Sequence, residues 1–494
     1  MNSIHTLCWY LYGLAQERPC LPLFGDKGGW ITAEQSRHYV EAGAGLLYAC
    51  GVRPGSLVAL RAERSVNAVL ALLCLQRIGA AAVLLDPREN PDQTLRGCTP
   101  PLPISFYLEG GQDTQRPIMR LTRSGEDSSQ CLPLFSSGCT PAPVWDDPDS
   151  PAFYIFTSGS FGEKKAVILS QGNLVSNLLD SAPLGGYSLD DIALGALPMD
   201  HVFGLALLTG AVVLGHQLYL TSASAPEELL QVVAQQKITR MNGVPSLYLA
   251  MAQKAKPGDV RTLRVGYIGG APWTMAQFQY IEFALGMTLV PVYGMSECVG
   301  IACASCQAPQ AARMAGVGAF YSMNRGKLLR EDGSEAQPGE EGEVCVSGPM
   351  RMLGYHDPLQ TAAAIDGDGF LHTGDLGCLD ENNILHLTGR KKDIIIRNGV
   401  NLSPLRIEEA LLSLPGVQGA AVVGVPDEAC GELPWAAVVC AEGVLPHMPD
   451  GLRSLLAKNE LPAGIMRVEA LPVTASGKPD KRAVQELIQR WRKA

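Results

Sequence analysis

The sequence has no apolar run long enough to span a bilayer, which takes about 20 apolar residues in a helix. The best candidate, residues 204–220, is interrupted by His216 and Gln217, so we interpret it as a buried core segment. Residues 1–19 contain a short apolar run without the basic start of a secretory signal. We therefore expect no signal peptide, no membrane span and a cytoplasmic protein.

Positive charge is also in short supply. The chain has 39 lysine and arginine residues against 49 aspartate and glutamate residues, a formal net charge of -10. An acidic protein lacks the basic surface on which nonspecific nucleic-acid binding depends, so no nucleic-acid partner is expected. A nucleotide can still bind, because a small site can be positive on an acidic protein.

The 14 cysteines lack the spacing of a disulfide framework, which indicates reduced thiols. Cys298, Cys303 and Cys306 have the spacing of part of an iron–sulfur ligand set, but no fourth cysteine follows at a matching distance. Cysteines in an apolar, alanine-rich stretch more commonly pack as small hydrophobic residues. We therefore expect core thiols here rather than a metal cluster.

What the chain does contain is apolar material, 47% of 494 residues, enough for more than one domain. Strand patterns alternate with helix patterns, beginning with a strand at 56–62, a helix at 65–80 and a strand at 81–86. This alternation is typical of βαβ units and parallel sheets. Residues 108–150, rich in polar residues, glycine and proline, are predicted to be loops.

The composition changes near Thr388, where the charged, glycine-containing segment TGRKKDIIIRNG begins. The residues beyond it are domain-sized and have strands and helices of their own. We place a boundary after residue 390, with residues 1–390 as a large N-terminal domain and 391–494 as a small C-terminal domain pivoting near Lys392. The expected fold class is α/β, with parallel or mixed sheets flanked by helices, followed by a small α+β domain.

The segment YIFTSGSFGEKKAVILS, residues 154–170, has a strand-like run, a turn of small residues, two lysines and a second apolar run. Hydroxyl and unobstructed N–H groups in such a turn can bind an anion, and Lys165 adds positive charge. The G-x-x-x-x-G-K signature of a Walker A loop is absent, and the turn alone fits a plain surface loop equally well. The turn residues concerned are Thr157, Ser158, Gly159, Ser160 and Gly162.

This segment resembles the phosphate loop of the adenylate-forming superfamily, which includes acyl- and aryl-CoA synthetases, peptide-synthetase adenylation domains and firefly-type luciferases. The family's lysine falls on Lys165, whereas Phe161, Lys164 and Ala166 replace a hydroxyl residue, proline and glycine. Five more segments resemble family elements in the same order: VYGMSE (292–297), GPMRMLGYHDP (348–358), GFLHTGDLG (369–377), GRKKDIIIRNGVNLSPLRIEE (389–409, with Arg406 replacing glutamate) and PVTASGKPDKR (472–482).

The resemblance implies an ATP-dependent enzyme that activates a carboxylic acid. The carboxylate attacks the α-phosphate of ATP, pyrophosphate leaves, and the acyl-adenylate carries AMP as a good leaving group for transfer to a thiol. Because both reactants of the first step are anionic, cations and amide dipoles must hold them in line. The implied cofactors are ATP, Mg²⁺ and either CoA or a carrier protein's phosphopantetheine.

The resemblance places four residues in catalysis. Lys478 would contact the carboxylate and the α-phosphate, Ser296 would hydrogen-bond the α-phosphate, and Lys165 would bind the phosphates. Glu297 would hold Mg²⁺, a cation that prefers carboxylate and phosphate oxygens. Ordinary interpretations are a solvated lysine for Lys478 and a helix N-terminal acid for Glu297.

The resemblance also implies a nucleotide site. Asp375 would accept hydrogen bonds from both ribose hydroxyls, Arg390 would reach the nucleotide, and Tyr293 would pack against adenine. The same cleft would be lined by Gly269, Gly270, Ala271 and Gly294, together with the turn residues at 157–162.

In the family the small domain is mobile and swings about a hinge, here Lys392, between the two half-reactions. One pose delivers Lys478 to the carboxylate. The other withdraws it and presents the loop around Gly399, where a missing side chain would let a pantetheine arm pass.

The acyl pocket is less well defined. His201 matches the position at which CoA synthetases have a histidine beside the pocket, although a lone histidine is more commonly a packed core residue. Amino-acid-activating relatives have an aspartate nearby, where this chain has the apolar Val202. Asp200 is near enough that a two-residue slip would restore an amino-acid substrate. Val244 belongs to a second segment that would line the pocket.

Three functions remain open: a stand-alone ligase making acyl-CoA from a fatty or aryl acid, an enzyme loading an acyl or amino acid onto a carrier protein, and a non-catalytic nucleotide-binding homologue. No pantetheine attachment motif is found, so any carrier is expected to be a separate chain. Phe161, Lys164 and Arg406 favour the third function. Five retained residues oppose it: Lys165, Glu297, Asp375, Arg390 and Lys478.

Overall fold

The structure is a computed structural model that describes residues 3–111, 114, 117–126, 128–134, 142–158, 164–256, 260–440, 448–473 and 479–493. Its strands are β1 Pro22–Asp26, β2 Gly29–Thr32, β3 Leu57–Arg61, β4 Ala81–Leu85, β5 Phe106–Gly110, β6 Ile118–Arg123, β7 Ser129–Pro133, β8 Pro151–Ser158, β9 Lys164–Ser170, β10 Ile192–Gly195, β11 Gln217–Leu220, β12 Arg240–Gly243, β13 Val265–Ile268, β14 Thr288–Met295, β15 Cys298–Cys303, β16 Ala319–Phe320, β17 Arg325–Leu329, β18 Gly342–Ser347, β19 Gly354–Tyr355, β20 Leu371–Leu379, β21 Leu385–Arg390, β22 Ile395–Arg397, β23 Val400–Leu402, β24 Val417–Asp427, β25 Gly431–Cys440 and β26 Gly464–Arg467. Its α-helices are α1 Leu7–Glu17, α2 Ala33–Ala49, α3 Val66–Ile78, α4 Pro91–Arg96, α5 Gln171–Leu184, α6 Val202–Leu214, α7 Pro226–Gln235, α8 Pro245–Lys254, α9 Met275–Leu285, α10 Gln310–Ala315, α11 Pro358–Ala364, α12 Pro404–Leu412, α13 Met448–Arg453 and α14 Lys481–Lys493.

The first large sheet has the strand order β19-β9-β8-β4-β3-β5-β6-β7. Its centre is parallel, with β3 paired to both β4 and β5, and β4 paired to β8. Helix α3 connects β3 to β4 and is buried along its whole length, because the sheet covers one side and α1 and α2 cover the other. The strand–helix–strand unit predicted over 56–86 is therefore confirmed.

The second large sheet has the order β16-β15-β14-β13-β12-β10-β11-β1-β2. Strands β11, β10, β12, β13 and β14 run parallel. Their carboxyl ends therefore meet at one edge, which is where ligands bind in open α/β sheets. Together with the helices that flank both sheets, this confirms the expected α/β class.

Two smaller sheets follow in the chain. The antiparallel sheet β17-β18-β20-β21 ends at Arg390. The five-stranded sheet β23-β22-β25-β24, with β26 beside β25, packs against α12 and α14. Its two apolar clusters contain only residues from Ile395 onward, so this part of the chain has hydrophobic cores of its own.

The prediction of loops over residues 108–150 is wrong in part. Strands β6 and β7 extend the first sheet in antiparallel fashion beyond β5. Met119 and Leu121 are buried while Arg120 between them is exposed, which is the period of two expected of a half-buried strand. The pattern was readable in IMRLTR, but the glycine- and proline-rich surroundings concealed it.

The 204–220 segment forms most of α6 and then β11, and both are largely buried. Among the helices of the described residues, none combines the length and apolarity that a membrane crossing requires. Cys298 and Cys303 are buried in β15, where their thiols face the backbone oxygens of Gly300 and Ala304 at 3.3 and 3.1 Å. These two cysteines therefore pack as core residues.

His216 precedes β11 and is 1% exposed. Its ring stacks on Tyr187 at 5.5 Å between centroids, and its Nδ1 lies 3.0 Å from the carbonyl oxygen of Gln217. Tyr187 also lies 3.3 Å beneath the guanidinium of the buried Arg240. Burial lowers the pKa of His216 to about 4, Arg240 acts in the same direction, and the Gln217 carbonyl opposes them.

This lowered pKa predicts a loss of stability in mild acid. His216 stays neutral in the folded protein, whereas the unfolded chain binds a proton there below about pH 6.5. The stability contributed by the neutral His216 ring is present above about pH 6.5 and is lost as the pH falls toward 4. We expect the free energy of unfolding of the wild type, measured by urea denaturation, to fall by roughly 2–3 kcal/mol more between pH 7 and pH 4.5 than that of His216→Asn. His38→Asn, at an exposed site, should behave like the wild type.

Candidate active site

The candidate cleft lies where the chain leaves the parallel strands β12, β13 and β14. Gly269 and Gly270 follow β13, and a Cβ atom on Gly269 would approach the carbonyl oxygen of Val292 to 2.7 Å. Gly270 has φ of +84°, which lets the chain turn there, and it is exposed. Ala271 follows and is half-buried. The predicted cleft residues at 269–271 thus have the open backbone that a ligand cleft requires.

A buried carboxylate joins the second sheet to the β20–β21 hairpin. Asp375 is 6% exposed, and one of its oxygens accepts a hydrogen bond from the hydroxyl of Tyr293 at 2.7 Å. Its other oxygen is 2.7 Å from Nε of Arg390, which lies opposite it in the hairpin register. Burial, followed by the Asp375 charge, holds the pKa of Tyr293 well above its usual value, so its hydroxyl remains a donor.

The structure therefore brings together three of the predicted nucleotide residues. Each carboxylate oxygen of Asp375 has a second lone pair, so the group can still accept ribose hydroxyls. Arg390 and Tyr293 hold it in one orientation. The motifs T-G-D and Y-G-x-S-E do not predict this contact, because Asp375 and Tyr293 lie more than 80 residues apart in the chain.

Asp375→Asn is expected to raise the KM for ATP about tenfold, since a hydrogen bond to a charged group contributes about 1.5 kcal/mol or more. The side-chain amide of asparagine would also place its NH2 group against either Arg390 or the Tyr293 hydroxyl, both of which donate to Asp375 in the wild type. Asp380→Asn is the matched control, because Asp380 lies at the turn of the same hairpin and accepts N–H groups of Asn382 and Ile384. An unchanged KM for ATP in Asp375→Asn would contradict a ribose role.

Glu297 lies in the turn between β14 and β15 and is 7% exposed. The hydroxyl of Tyr355 donates to its Oε1 at 2.7 Å, and the ammonium of Lys165 lies 5.0 Å from the centre of the Tyr355 ring. Burial, and then the Glu297 charge, raises the pKa of Tyr355, which keeps its hydroxyl protonated. The sequence segment G-Y at 354–355 belonged to a matching motif, but the linking role of Tyr355 was missed.

Two neighbours complete this turn. Gly294 is exposed, and a Cβ atom there would approach the carbonyl oxygen of Val299 to 2.6 Å. Ser296 is half-buried beside Glu297. The small residue at 294 thus lets the hairpin close tightly and places Ser296 and Glu297 at the end of β14.

Only the borders of the predicted phosphate loop are described. Thr157 lies opposite Lys165 in the β8–β9 register, and Ser158 ends β8. Gly159, Ser160, Phe161 and Gly162 lie outside the described residues. Lys164, which replaces the family's proline, forms an ion pair with Glu89 and a 3.2 Å hydrogen bond to Thr94. Lys164 is thus used structurally, in a contact that ties β9 to α4.

Lys478 also lies outside the described residues. The chain on either side of it is held in the C-terminal part: Val473 pairs with Pro479 in a short antiparallel bridge. Just after it, Lys481 donates to Glu408 at 2.6 Å. Arg406, which replaces the family's glutamate, pairs with Glu460 at 2.7 Å on the surface.

Lys392 is the middle residue of a 3₁₀ turn, Lys391–Asp393, that joins β21 to β22. The turn therefore lies between the antiparallel sheet ending at Arg390 and the five-stranded sheet. Gly399 has φ of +76° in the tight turn between β22 and β23, and its α-carbon faces open space. Both positions suit the hinge and thiol roles that the resemblance implies.

The residues predicted to line the acyl pocket lie at two helix starts. His201 is the N-cap of α6 and makes no capping hydrogen bond with its side chain, and Val202 packs against the main core. Val244 is the half-buried N-cap of α8. Asp200 has one buried oxygen without a hydrogen-bond partner, and burial raises its pKa while His201 opposes the shift.

Two family models match the chain. The one described as "AMP-binding enzyme" matches residues 14–356, and the one described as "AMP-binding enzyme C-terminal domain" matches residues 406–478. The first match alone covers more than half of the sequence and includes the elements around Lys165 and Glu297. The second includes Lys478.

Similar proteins have also been characterised. A feruloyl-CoA synthase from Amycolatopsis sp is 34% identical over 341 residues, covering 67% of this chain and 68% of the relative. An indoleacetate–CoA ligase from Aromatoleum aromaticum is 31% identical over 485 residues, covering 93% and 94%. In fold, the chain is similar to an o-succinylbenzoate CoA synthetase from Bacillus subtilis in complex with its acyl-adenylate intermediate, with a TM-score of 0.81, 24% identity and coverage of 96% and 97%.

Proposed function

Because this chain belongs to the family of AMP-binding, adenylate-forming enzymes, we propose that it joins a fatty or aryl carboxylic acid to CoA. It is an ATP-dependent, AMP-forming acid–thiol ligase that proceeds through an acyl-adenylate. CoA as the acceptor and an aryl acid as the substrate are supported by the names of its relatives, which include feruloyl and indoleacetate ligases.

One observation carries the site assignment: two buried carboxylates, each held by a tyrosine hydroxyl, lie beside the carboxyl end of β14. Asp375 is linked to Tyr293 in β14, and Glu297 follows β14 directly and is linked to Tyr355. Both tyrosines are buried donors that fix the carboxylates in place without neutralising them. We assign Asp375 to the ribose and Glu297 to the phosphate end of the nucleotide.

In this proposal the first half-reaction depends on charge neutralisation. Lys165 and the N–H groups of the 157–162 turn bind the phosphates, and Ser296 donates to the α-phosphate. Lys478 contacts both the acid's carboxylate and the α-phosphate, so it offsets their repulsion as the new P–O bond forms and pyrophosphate leaves. Arg390 and Tyr293 fix the nucleoside.

Glu297 fits Mg²⁺. Its Oε1 accepts from Tyr355, and the remaining oxygen is a hard anionic ligand in a buried position. Mg²⁺ is commonly held by one or two carboxylates plus substrate phosphates and water, so one protein carboxylate is sufficient. When bound, Mg²⁺ would neutralise charge on the triphosphate.

We also propose that the chain divides after residue 390 and that the part from 391 to 494 swings about Lys392. Support comes from the separate apolar clusters of this part and from the short turn that connects it to β21. The free thiols of the described cysteines fit a reducing compartment, and we place the activity in the cytoplasm.

Pyrophosphate exchange into ATP across a panel of aryl, fatty and amino acids tests the activity and identifies the acid. We expect exchange with aryl or fatty acids, and thioester formation on addition of CoA. A Glu297→Gln variant should lose the exchange. Thioester formation with a holo-carrier protein but not with CoA would show that the acceptor is a carrier protein rather than CoA. No exchange with any acid would instead favour the non-catalytic nucleotide-binding homologue.

A further inference from the structure

Three side chains with metal-binding atoms meet on two neighbouring strands outside the nucleotide site. Glu343 and Cys345 are two residues apart on β18 and so face the same side of the sheet. His372 lies opposite Cys345 in the antiparallel register with β20. One oxygen of Glu343, Sγ of Cys345 and a ring nitrogen of His372 all lie within 4.8 Å of one another, the one such group found among the described residues.

The distances match a tetrahedral zinc ion. Zinc binds sulfur at about 2.3 Å and nitrogen or oxygen at about 2.0–2.1 Å, so tetrahedral angles place S and N about 3.6 Å apart and N and O about 3.3 Å apart. Here Nδ1 of His372 lies 3.5 Å from Sγ of Cys345 and 3.2 Å from Oε2 of Glu343. Two edges of one face of the tetrahedron thus have the required lengths, and the third, between Sγ of Cys345 and a Glu343 oxygen, is at most 4.8 Å.

The second nitrogen of His372 supplies the outer contact that metal-binding histidines usually make. Nε2 lies 3.5 Å from Oδ2 of Asp366. A neutral imidazole carries one proton and so can donate to only one of the two carboxylates that flank it. A metal cation bound to Nδ1 and also to Glu343, combined with an N–H on Nε2 that faces Asp366, satisfies both carboxylates. This is the carboxylate–histidine–metal arrangement.

The group is also accessible. Glu343, Asp366, His372 and Lys391 line an open cavity of about 420 Å³, and Cys345, whose Sγ lies 3.5 Å from Nδ1 of His372, is buried. The backbone N–H of Gly374 donates to the other oxygen of Glu343, which holds that carboxylate in place. Lys391 lies 3.3 Å from Oε2 of Glu343 and is 60% exposed, so its ammonium can turn into solvent when a cation takes its place beside the carboxylate.

We propose that Glu343, Cys345 and His372 form a zinc site, with a fourth position open to the cavity. The thiolate and imidazole favour zinc over the hard Mg²⁺ of the nucleotide site. Asp366 is a positioning residue that acts through His372. Zinc binding would break the ion pair between Glu343 and Lys391, the residue that precedes the proposed hinge residue Lys392. The proposal does not depend on the acid–thiol ligase activity.

Cobalt substitution in the full-length, nucleotide-free protein tests the site. Co²⁺ bound to a thiolate gives a charge-transfer band in the near ultraviolet, and Zn²⁺ should abolish that band by competition. We expect Cys345→Ser to remove the band and to weaken zinc binding at least about 100-fold, and Asp366→Asn to weaken it about tenfold. Cys378→Ser, at a half-buried cysteine on the same strand as His372, should retain both signals.

Melting temperatures measured without metal check that each variant folds. If Cys345→Ser does not fold, His372→Gln and Glu343→Gln test the same ligands and should weaken zinc binding to a similar extent. A cobalt band of wild-type size in Cys345→Ser or His372→Gln would overturn the proposal, as would wild-type protein that shows no thiolate band.

Discussion

Replacing Lys478 with alanine is expected to lower the rate of acyl-adenylate formation by roughly 100- to 1,000-fold, the usual cost of removing one group that stabilises developing negative charge. The same variant should form a thioester at nearly the wild-type rate when it is supplied with preformed acyl-adenylate and CoA. The reason is that the mixed anhydride no longer requires two anions to approach each other.

The position of Lys478 along the chain supports this separation. The Val473–Pro479 bridge joins the described residues on either side of Lys478, and the Lys481–Glu408 contact links α14, which follows it, to α12 and β24. The residues that we assign to the nucleotide, by contrast, lie before residue 391. In the proposed domain swing, Lys478 would therefore travel with the C-terminal part, and its loss should affect only the half-reaction in which that part faces the carboxylate.

Pyrophosphate exchange reports the first half-reaction, and AMP release from added acyl-adenylate and CoA reports the second. Lys458→Ala is the matched control, because Lys458 is an exposed lysine in the same part of the chain. If Lys478→Ala retained wild-type exchange, the assigned role would be wrong. Equal losses in both half-reactions would show a general defect instead.

Lys392→Pro should have the opposite effect: unchanged adenylation and a loss of thioester formation on the order of 100-fold. Proline fixes φ near −65° and restricts the residue before it, and a backbone state that it excludes is disfavoured by about 3 kcal/mol. Lys392 lies in the three-residue turn between β21 and β22, so few other backbone bonds are available for the rotation of the C-terminal part.

Lys392→Ala is the control for this variant, since it removes the same side chain and leaves the backbone free to rotate. We expect Lys392→Ala to carry out both half-reactions at wild-type rates. Equal losses of adenylation and thioester formation in Lys392→Pro would refute a hinge at this residue. Normal rates for both would place the rotation elsewhere in the connector.

The sequence was most informative where one segment contains all of the relevant residues. The strand–helix–strand pattern over 56–86 corresponds to β3–α3–β4, and the helices expected in the C-terminal part include α12 and α14. Hydrophobic periodicity is a local property, so it can be read without knowing the neighbours. Strands β6 and β7, at one end of the first sheet, were missed because the turn residues around them outweighed a short period-two pattern.

The functional site divides in the same way. The motifs around Lys165, Glu297, Asp375, Arg390 and Lys478 predicted which residue types bind anions, ribose and metal. The contacts of Tyr355 with Glu297 and of Tyr293 with Asp375 join residues 58 and 82 positions apart, and no spacing rule connects them. The same holds for Cys345 and His372, whose proximity follows from the pairing of β18 with β20.

By itself, the sequence determined the family, the α/β class and the chemistry of the individual motifs, because each depends on residues close together in the chain. Only the tertiary structure decided which side chains orient the carboxylates, that Lys164 pairs with Glu89, and that a thiol, an imidazole and a carboxylate meet on β18 and β20. Those outcomes depend on strand register and sheet order, which bring distant segments within hydrogen-bond distance and which local pattern does not specify.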